Sequence, residues 1–355
     1  MTRDELAQRM LSSLIGSLEI YHVYLGDKLG LYRALAAEGP LDAAQLAQTA
    51  GIHPRYAREW LEEQAVAGYI AVAAEGDDDH RRYALPEAHR DVLVDSDNLK
   101  YSAPFGRLAV SVGGVLPRLV EAFKTGAGIP SEAYGPDGRS GTADSNRVLF
   151  INLLGTEWLP AIPDVHQRLR SQPPARVADF GCGTGNSSIA IAQAYPLVTV
   201  HGIDLDATSV EQARDKAMKA GLDDRVRFEA RDAGDPALAG SFDLVTAFET
   251  IHDMTHPVAA LRAMRQLCAE GGAVLVVDER VADELVAPGD EMARLHHGFS
   301  ALSCLAAAMG DPTSAMTGTV MRPATLRRYA HEAGYDRVEI LPIENEGWRF
   351  YRLFT

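Results

Sequence analysis

The chain has 355 residues, of which 46% are hydrophobic and 23% charged, a balance that suits a folded chain with more than one core and excludes a disordered or fibrous one. The net charge of −15 weighs against a nucleic-acid partner, since phosphate binding needs clustered Lys and Arg. Three widely spaced cysteines without a C-x-x-C pair argue against a disulfide framework or a cysteine zinc site.

No apolar run is long enough to cross a bilayer, and the start MTRDELAQRM lacks the order of a signal peptide, so no membrane role and a cytoplasmic location are expected. The first element carries Leu6, Met10, Leu14, Leu18, Tyr21, Leu25 and Leu29 at helical spacing, a stripe that needs a partner. Next, LDAAQLAQTAGIHPRYAREWLEEQAVAGYIAVAA predicts a helix capped by Asp42, a turn at Gly51, a helix from Pro54 and a strand after Gly68. An acidic tip with Asp77, Asp78 and Asp79 precedes a returning strand in RYAL. Helix, turn, helix and a two-stranded wing make a winged helix. Its second helix sets Arg55 and Arg58 against Glu59, Glu62 and Glu63, so a structural or dimerising role is expected in place of DNA binding. The stretch GAGIPSEAYGPDGRSG predicts an exposed loop or hinge. The expected domains are residues 1–100, a winged-helix dimerisation domain, 101–171, a helical linker and pocket cover, and 172–355.

From Arg176 onward, strands at 176–180, 198–203, 225–230, 242–248 and 272–278 alternate with helices at 186–195, 208–220 and 257–269, a pattern for a doubly wound parallel sheet. The first strand runs into VADFGCGTGNSS. A dinucleotide fingerprint would need glycine at position 186, but Asn186 stands there and the third glycine is Gly185. The glycines of the D-x-G-x-G-x-G pattern (Asp179, Gly181, Gly183, Gly185) let a ligand come close to the backbone. In such sheets ligands bind beyond the carboxyl ends of the strands. Asp204 ends one strand, placed to accept ribose hydroxyls; Asp232 follows the next, placed for an exocyclic amine; Phe248 and Glu249 end the fourth.

Together VADFGCGTGNSS, HGIDLD, RFEARDAGD and SFDLVTAFETIHDM resemble the successive motifs of class I S-adenosylmethionine-dependent methyltransferases. The N-terminal part resembles the winged-helix dimerisation domain of small-molecule methyltransferases, and the whole is similar to a regulator-like bacterial group. The resemblance implies a Rossmann-like α/β sheet of seven strands, one antiparallel, and S-adenosyl-L-methionine as cofactor. It implies that Asp179, Gly181, Gly183 and Gly185 face the methionine part, that Asp204 holds the ribose with Leu205 beside the adenine, that Asp232 and Ala233 read the adenine edge, and that Phe248 and Glu249 close the pocket below the sulfonium.

Methyl transfer needs alignment and, for a hydroxyl or amine acceptor, a base; His252 is the candidate, expected neutral at pH 7. Asp253, its neighbour in sequence, is expected to face elsewhere. No metal is expected, although His252-Asp253, Asp278-Glu279 and His296-His297 offer ligands, and the last two are expected to be an exposed pair on a helix at 290–309. Tyr21, Tyr24 and Trp158 are candidates to complete the acceptor pocket. The expectation is a homodimer that methylates a small-molecule acceptor at O, N or C; the rival is a winged-helix regulator that uses the second domain as a metabolite sensor.

Overall fold

The computed structural model describes residues 1–74, 80–235 and 241–355. The chain divides into two compact units, Met1–Gly114 with Tyr134–Val148, and Val115–Ala133 with Leu149–Thr355.

In the first unit the opening helix, Arg3–Lys28, starts at a capping box in which Thr2 and Glu5 satisfy each other's backbone N–H groups. Leu6, Met10, Leu14, Leu18, Tyr21 and Leu25 on this helix are between 40% and 64% exposed. Helices Leu31–Glu38, Ala43–Ala50 and Pro54–Val66 follow, then strands β1 (Ala71–Ala74) and β2 (Arg82–Ala84), which pair antiparallel. Asp42 caps the third helix and Gly51, at φ +68°, ends it, as the sequence indicated. Leu31, Leu35, Leu46 and Leu61 are at most 1% exposed and form the core with Tyr32, whose ring meets Trp60 edge-on. Arg55 pairs with Glu59 and Arg58 with Glu62 one helical turn away, so both guanidinium groups are neutralised within their own helix. The acidic tip, Asp77 to Asp79, lies outside the described residues.

The stretch read as an exposed loop folds differently. Only residues 126–130 are irregular; Ser131–Tyr134 is a 3-10 turn, and Gly135–Leu149 is a helix. Its glycines are packing positions: a Cβ on Gly138 would meet Ser111 Oγ at 2.6 Å, and one on Gly141 would meet Leu108 Cδ2 at 2.9 Å. The absence of side chains lets this helix lie close against Pro104–Thr125. Tyr24, expected at the acceptor pocket, donates its hydroxyl to Asp137 at 2.9 Å.

The second unit is built on β3 (Arg176–Phe180), β4 (Thr199–Asp204), β5 (Val226–Ala230), β6 (Phe242–Phe248), β7 (Cys268–Glu279), β8 (Arg337–Ile340) and β9 (Trp348–Phe354). They form one seven-stranded sheet in the order β5-β4-β3-β6-β7-β9-β8, parallel except for β9, which runs antiparallel to both neighbours. Successive residues feed opposite cores: Val177, Leu244, Leu275 and Val277 enter one, Ala178, Val245, Val274 and Val276 the other. A sheet buried on both faces requires such near-continuous apolar strands. The helix expected at 257–269 stops at Leu267, because Cys268 already pairs with Phe242 as the first residue of β7. The strand order reverses at β3, with β4 and β5 to one side and β6 and β7 to the other, so the crevice for a ligand opens above the glycine turn that ends β3. Among the described residues no helix is long and apolar enough to cross a membrane.

Candidate active site

At the turn after β3, Gly181, Gly183 and Gly185 all have positive φ. A Cβ on Gly181 would strike Thr250 Oγ1 at 2.1 Å and one on Gly185 the Phe228 ring at 2.6 Å, whereas nothing lies within 4 Å of the Cβ direction of Gly183. Two glycines are thus demanded by packing and the third faces open space, room for a ligand to approach the backbone. Lys216 fastens the turn from the side through Thr184 Oγ1 at 2.7 Å and Asn186 Oδ1 at 2.9 Å.

Asp179 corrects the expectation placed on it. It is 1% exposed; its Oδ2 accepts the hydroxyls of Ser187 and Ser188, each at 2.6 Å, and its Oδ1 that of Thr246 at 2.8 Å. The side chain braces the turn from beneath and ties β3 to β6 and to the start of helix Asn186–Ala194, so it does not face a ligand. Burial lifts its pKa above the ordinary carboxyl range, and the three hydroxyls work against that rise.

Asp204, at the end of β4, accepts the N–H of Gly183 at 2.7 Å with one oxygen and that of Asp206 at 2.8 Å with the other. A carboxylate offers about four lone pairs, so each oxygen keeps capacity for one more donor, which suits a vicinal diol. Leu205 beside it is 74% exposed, an apolar surface at the rim of the crevice. Beyond β5, Asp232 is exposed and closes its own turn by accepting the N–H of Gly234, while Ala233 is half-buried against the core. The ends of β4 and β5 are stitched by Arg231 N–H to Asp204 O, and those of β3 and β4 by Gly181 N–H to Ile203 O, each at 2.8 Å. The neighbouring strands therefore bring the glycine turn, Asp204 and Asp232 to one edge of the sheet.

On the other side of β3, Phe248 turns into the core, edge-on to Phe150 at 5.4 Å. Glu249 has φ +51°, a left-handed backbone that is uncommon for a residue with a side chain, held by its N–H to Val277 O at 2.7 Å. Burial pushes the Glu249 carboxyl up to about 7, against the pull of the His252 charge.

His252 follows in the 3-10 turn Ile251–Asp253 and is 2% exposed. Its Nδ1 lies 2.7 Å from Asp278 Oδ1 and 3.0 Å from Glu279 Oε2, at the end of β7; its Nε2 lies 3.3 Å from Asp253 Oδ1. Two expectations are corrected here. The tight 3-10 turn swings the half-exposed Asp253 back onto the ring of its neighbour. And burial would strip the imidazole of its proton, but Asp253, Glu279 and Asp278 outweigh it and hold the pKa well above the ordinary histidine value. The His252 charge holds Asp278 below its usual range in spite of burial, and with Asp278 ionised Nδ1 carries the proton donated to it.

Sequence reasoning missed the partners of this histidine. Asp278 and Glu279 were visible as strand-end carboxylates but were weighed only as metal ligands; with His252 their donor atoms do converge, within 4.8 Å of one another. His296 and His297 do not form an exposed pair: His297 is exposed, and His296 is 6% exposed. Cys304 lies beside His252, Asp253 and Thr319, and burial pushes its thiol up to about 12. Phe150–Trp158 and Ser300–Cys304, which flank this region, are wound as π-helix, a widened form frequent at functional sites. Trp158 packs at 5.5 Å from Trp348, which pairs with Glu279 across the sheet.

A glycine turn at the switch point, an aspartate with spare lone pairs on the next strand and a histidine clamped by carboxylates thus gather at the carboxyl ends of the parallel strands. Residues 172–334 match the family model of a methyltransferase domain and residues 18–94 that of a Rv2258c-like winged HTH domain. The chain thus joins a methyltransferase domain to an N-terminal winged HTH domain. It is similar to the 27-O-demethylrifamycin SV methyltransferase of Amycolatopsis mediterranei (strain S699), 39% identical over 104 residues, which are 29% of this chain and 38% of that protein. It is also similar to the trans-aconitate 2-methyltransferase of Methylobacterium radiotolerans, 28% identical over 208 residues, 58% of this chain and 72% of that one. The chain matches less than half the length of the first three curated relatives, 38%, 30% and 49%. Among solved structures it resembles PigF with SAH (TM-score 0.72, 20% identity, 100% of both chains) and the mitomycin 7-O-methyltransferase MmcR (TM-score 0.68, 18% identity, 99% and 98%), a likeness of fold.

Proposed function

We propose that this protein moves a methyl group from S-adenosylmethionine to a hydroxyl of a small-molecule acceptor, with His252 taking the acceptor's proton, and that it works as a homodimer. The observation that carries the reading is the clamp on His252: Asp278 holds a proton on Nδ1, so Nε2 is the nitrogen that takes the acceptor's proton once the ring has given up its own there. When bound, the cofactor supplies a methyl group already activated on a sulfonium, and the chain is left to align, exclude water and move a proton.

The residues present fit that cofactor. Asp204 holds the ribose diol with its spare lone pairs, and Leu205 offers apolar surface to the adenine; Asp232 and Ala233 meet the adenine edge. Gly183 leaves space for the methionine part over the turn that Asp179 braces. Asp278 and Asp253, both held below the usual carboxyl range beside His252, make an acidic setting that suits a cation. Phe248, with Phe150, walls the crevice from below.

In this reading residues 172–355 do the chemistry and residues 1–100 serve dimerisation through the exposed stripe of the opening helix. The paired Arg55 and Arg58 leave that domain little to offer a phosphate backbone. Incubation with methyl-labelled cofactor and fractionated metabolite extracts, read by mass spectrometry, tests the assignment: a labelled O-methyl product is expected, lost in His252→Gln. Cofactor binding without any labelled product would leave the sensor reading in its place.

A further inference from the structure

At the amino ends of β3, β4, β5 and β6, opposite the glycine turn, lies a cavity of about 260 Å³ lined by Arg176, Thr199, His201, Arg227 and Phe242. These side chains share one face of the sheet, because strand residues two apart point the same way. Arg176 goes with Ala178 and His201 with Ile203, while Thr199 and Arg227 each stand between residues that enter the opposite core. The register sets Arg176 beside Thr199 and His201 beside Arg227. Strand spacing and rise then put the two arginine Cα atoms about 12 Å apart, a gap that two long side chains can close around one small ion. In a chain of net charge −15 carboxylates are plentiful, yet neither guanidinium pairs with one among the described residues. The Arg176 guanidinium carbon lies 4.8 Å from the centre of the Phe242 ring. Arg227 Nη2 donates to His201 Nδ1 at 3.2 Å. His201 is 8% exposed, stands 6.2 Å from the Phe242 ring and donates Nε2–H to Glu229 at 3.1 Å. Burial first, then the Arg227 charge, holds its pKa below the ordinary value, so the ring is neutral and Nδ1 can accept. Glu229 is itself paired with Arg231 at 3.0 Å. Two guanidinium groups are thus fixed in place by neutral rings, with their charge left uncompensated.

We propose that this cavity binds a phosphate group between Arg176 and Arg227, with the Thr199 hydroxyl as a further donor. A guanidinium fork matches the oxygens of such an anion, and two of them answer its two charges. The cavity is smaller than the roughly 300–1,000 Å³ of pockets that take drug-sized molecules, which restricts what it encloses to a group of about this size. Arg225 also borders it, with donors spent on Ala192 O and Val198 O. Asp223 and Asp224 border it too, and neither forms an ion pair with its arginines. Their charge turns away a polyanion such as nucleic acid, whereas a single phosphate can meet the two free guanidinium groups alone. The site stands apart from the methyl-transfer reading, since it lies at the opposite ends of the strands that carry Asp179 and Asp204.

The probe is inorganic phosphate, titrated calorimetrically into the full-length protein at fixed ionic strength, with acetate as the singly charged control. Saturable one-to-one binding of phosphate and weaker binding of acetate are expected. Arg176→Gln and Arg227→Gln each remove hydrogen bonds to a charged oxygen and should each weaken phosphate binding about tenfold or more, with the unfolding midpoint unchanged. Arg337→Gln removes a positive charge from β8, at the far edge of the sheet, and should leave the affinity as it was. Glycerol phosphate binding as tightly as inorganic phosphate supports a phosphate carried on a larger molecule; binding of the free ion alone supports inorganic phosphate as the ligand. Absence of saturable binding by the wild-type protein, acetate binding as tightly as phosphate, or an equal loss in Arg337→Gln overturns the site. Binding that survives both Arg176→Gln and Arg227→Gln overturns the assignment to these residues.

Discussion

Asp179 and Asp204 both end strands at the same edge of the sheet, yet their surroundings give them opposite tasks. Asp179 spends its oxygens on three hydroxyls inside the protein, while Asp204 spends one lone pair of each oxygen on backbone and keeps the rest. Hydrogen bonds to a charged acceptor contribute roughly 1.5–3 kcal/mol each, so Asp204→Ala should weaken S-adenosylhomocysteine binding at least about tenfold by calorimetry. Asp179→Ala should instead lower the unfolding free energy by about 1–3 kcal/mol in denaturant titration, because it strands buried hydroxyls. His252 yields a prediction in pH. Its raised pKa means that the ring keeps its proton to higher pH than a free histidine, and a base must first lose it. Turnover should therefore climb with pH along a limb centred above the ordinary value of about 6.5, and the limb should vanish in His252→Gln while cofactor affinity holds. A limb at or below that value would show that the carboxylates do not govern the ring. The acids at the strand ends were legible one by one, because strand ends are where such folds place ligands. Their partners were not: Ser187, Thr246 and Asp278 reach these side chains only after the sheet has set its register.

At the scale of elements, glycine misled in one place and informed in another. Between Gly126 and Gly141, five glycines and two prolines read as a loop, yet the second half is helical, since Gly138 and Gly141 face a neighbouring helix at a distance that no side chain would allow. Gly141→Val should cost about 1–3 kcal/mol of stability by overpacking against Leu108, measurable as an earlier unfolding midpoint. An unchanged midpoint would mean that the two helices simply move apart. In the turn after β3 the spacing of the glycines could be read directly, because the backbone conformation and the close approach there are local demands. The alternation of strands and helices was legible for the same reason: both faces of the sheet are buried, and the apolar runs announce it.

At the scale of the molecule, helix Arg3–Lys28 leaves eight large apolar side chains exposed, Leu11 and Ile15 beside the six of the stripe, and full burial of such a side chain contributes roughly 1.5–3 kcal/mol. Covered by a second copy, it would hold a dimer; Leu14→Glu with Leu18→Glu should then shift the protein to monomer in sedimentation experiments, while the melting of the second unit stays as it was. A monomeric wild type would refute the dimer, and a salt-sensitive complex with random duplex DNA would favour the regulator. The acceptor is the part the sequence conceals most, because His252 and the carboxylates that clamp it, Asp278 and Glu279, come from distant parts of the chain. The aromatic packing beside Glu279 has a practical side. The protein has three tryptophans, and Trp158 and Trp348 stand together in the second unit, with Trp348 paired to Glu279, while Trp60 lies in the first. With Trp60 replaced by Phe, all indole emission would arise a strand's width from the charge cluster. The chain would then be its own optical indicator, its fluorescence following the loading and the protonation of the site without any attached dye.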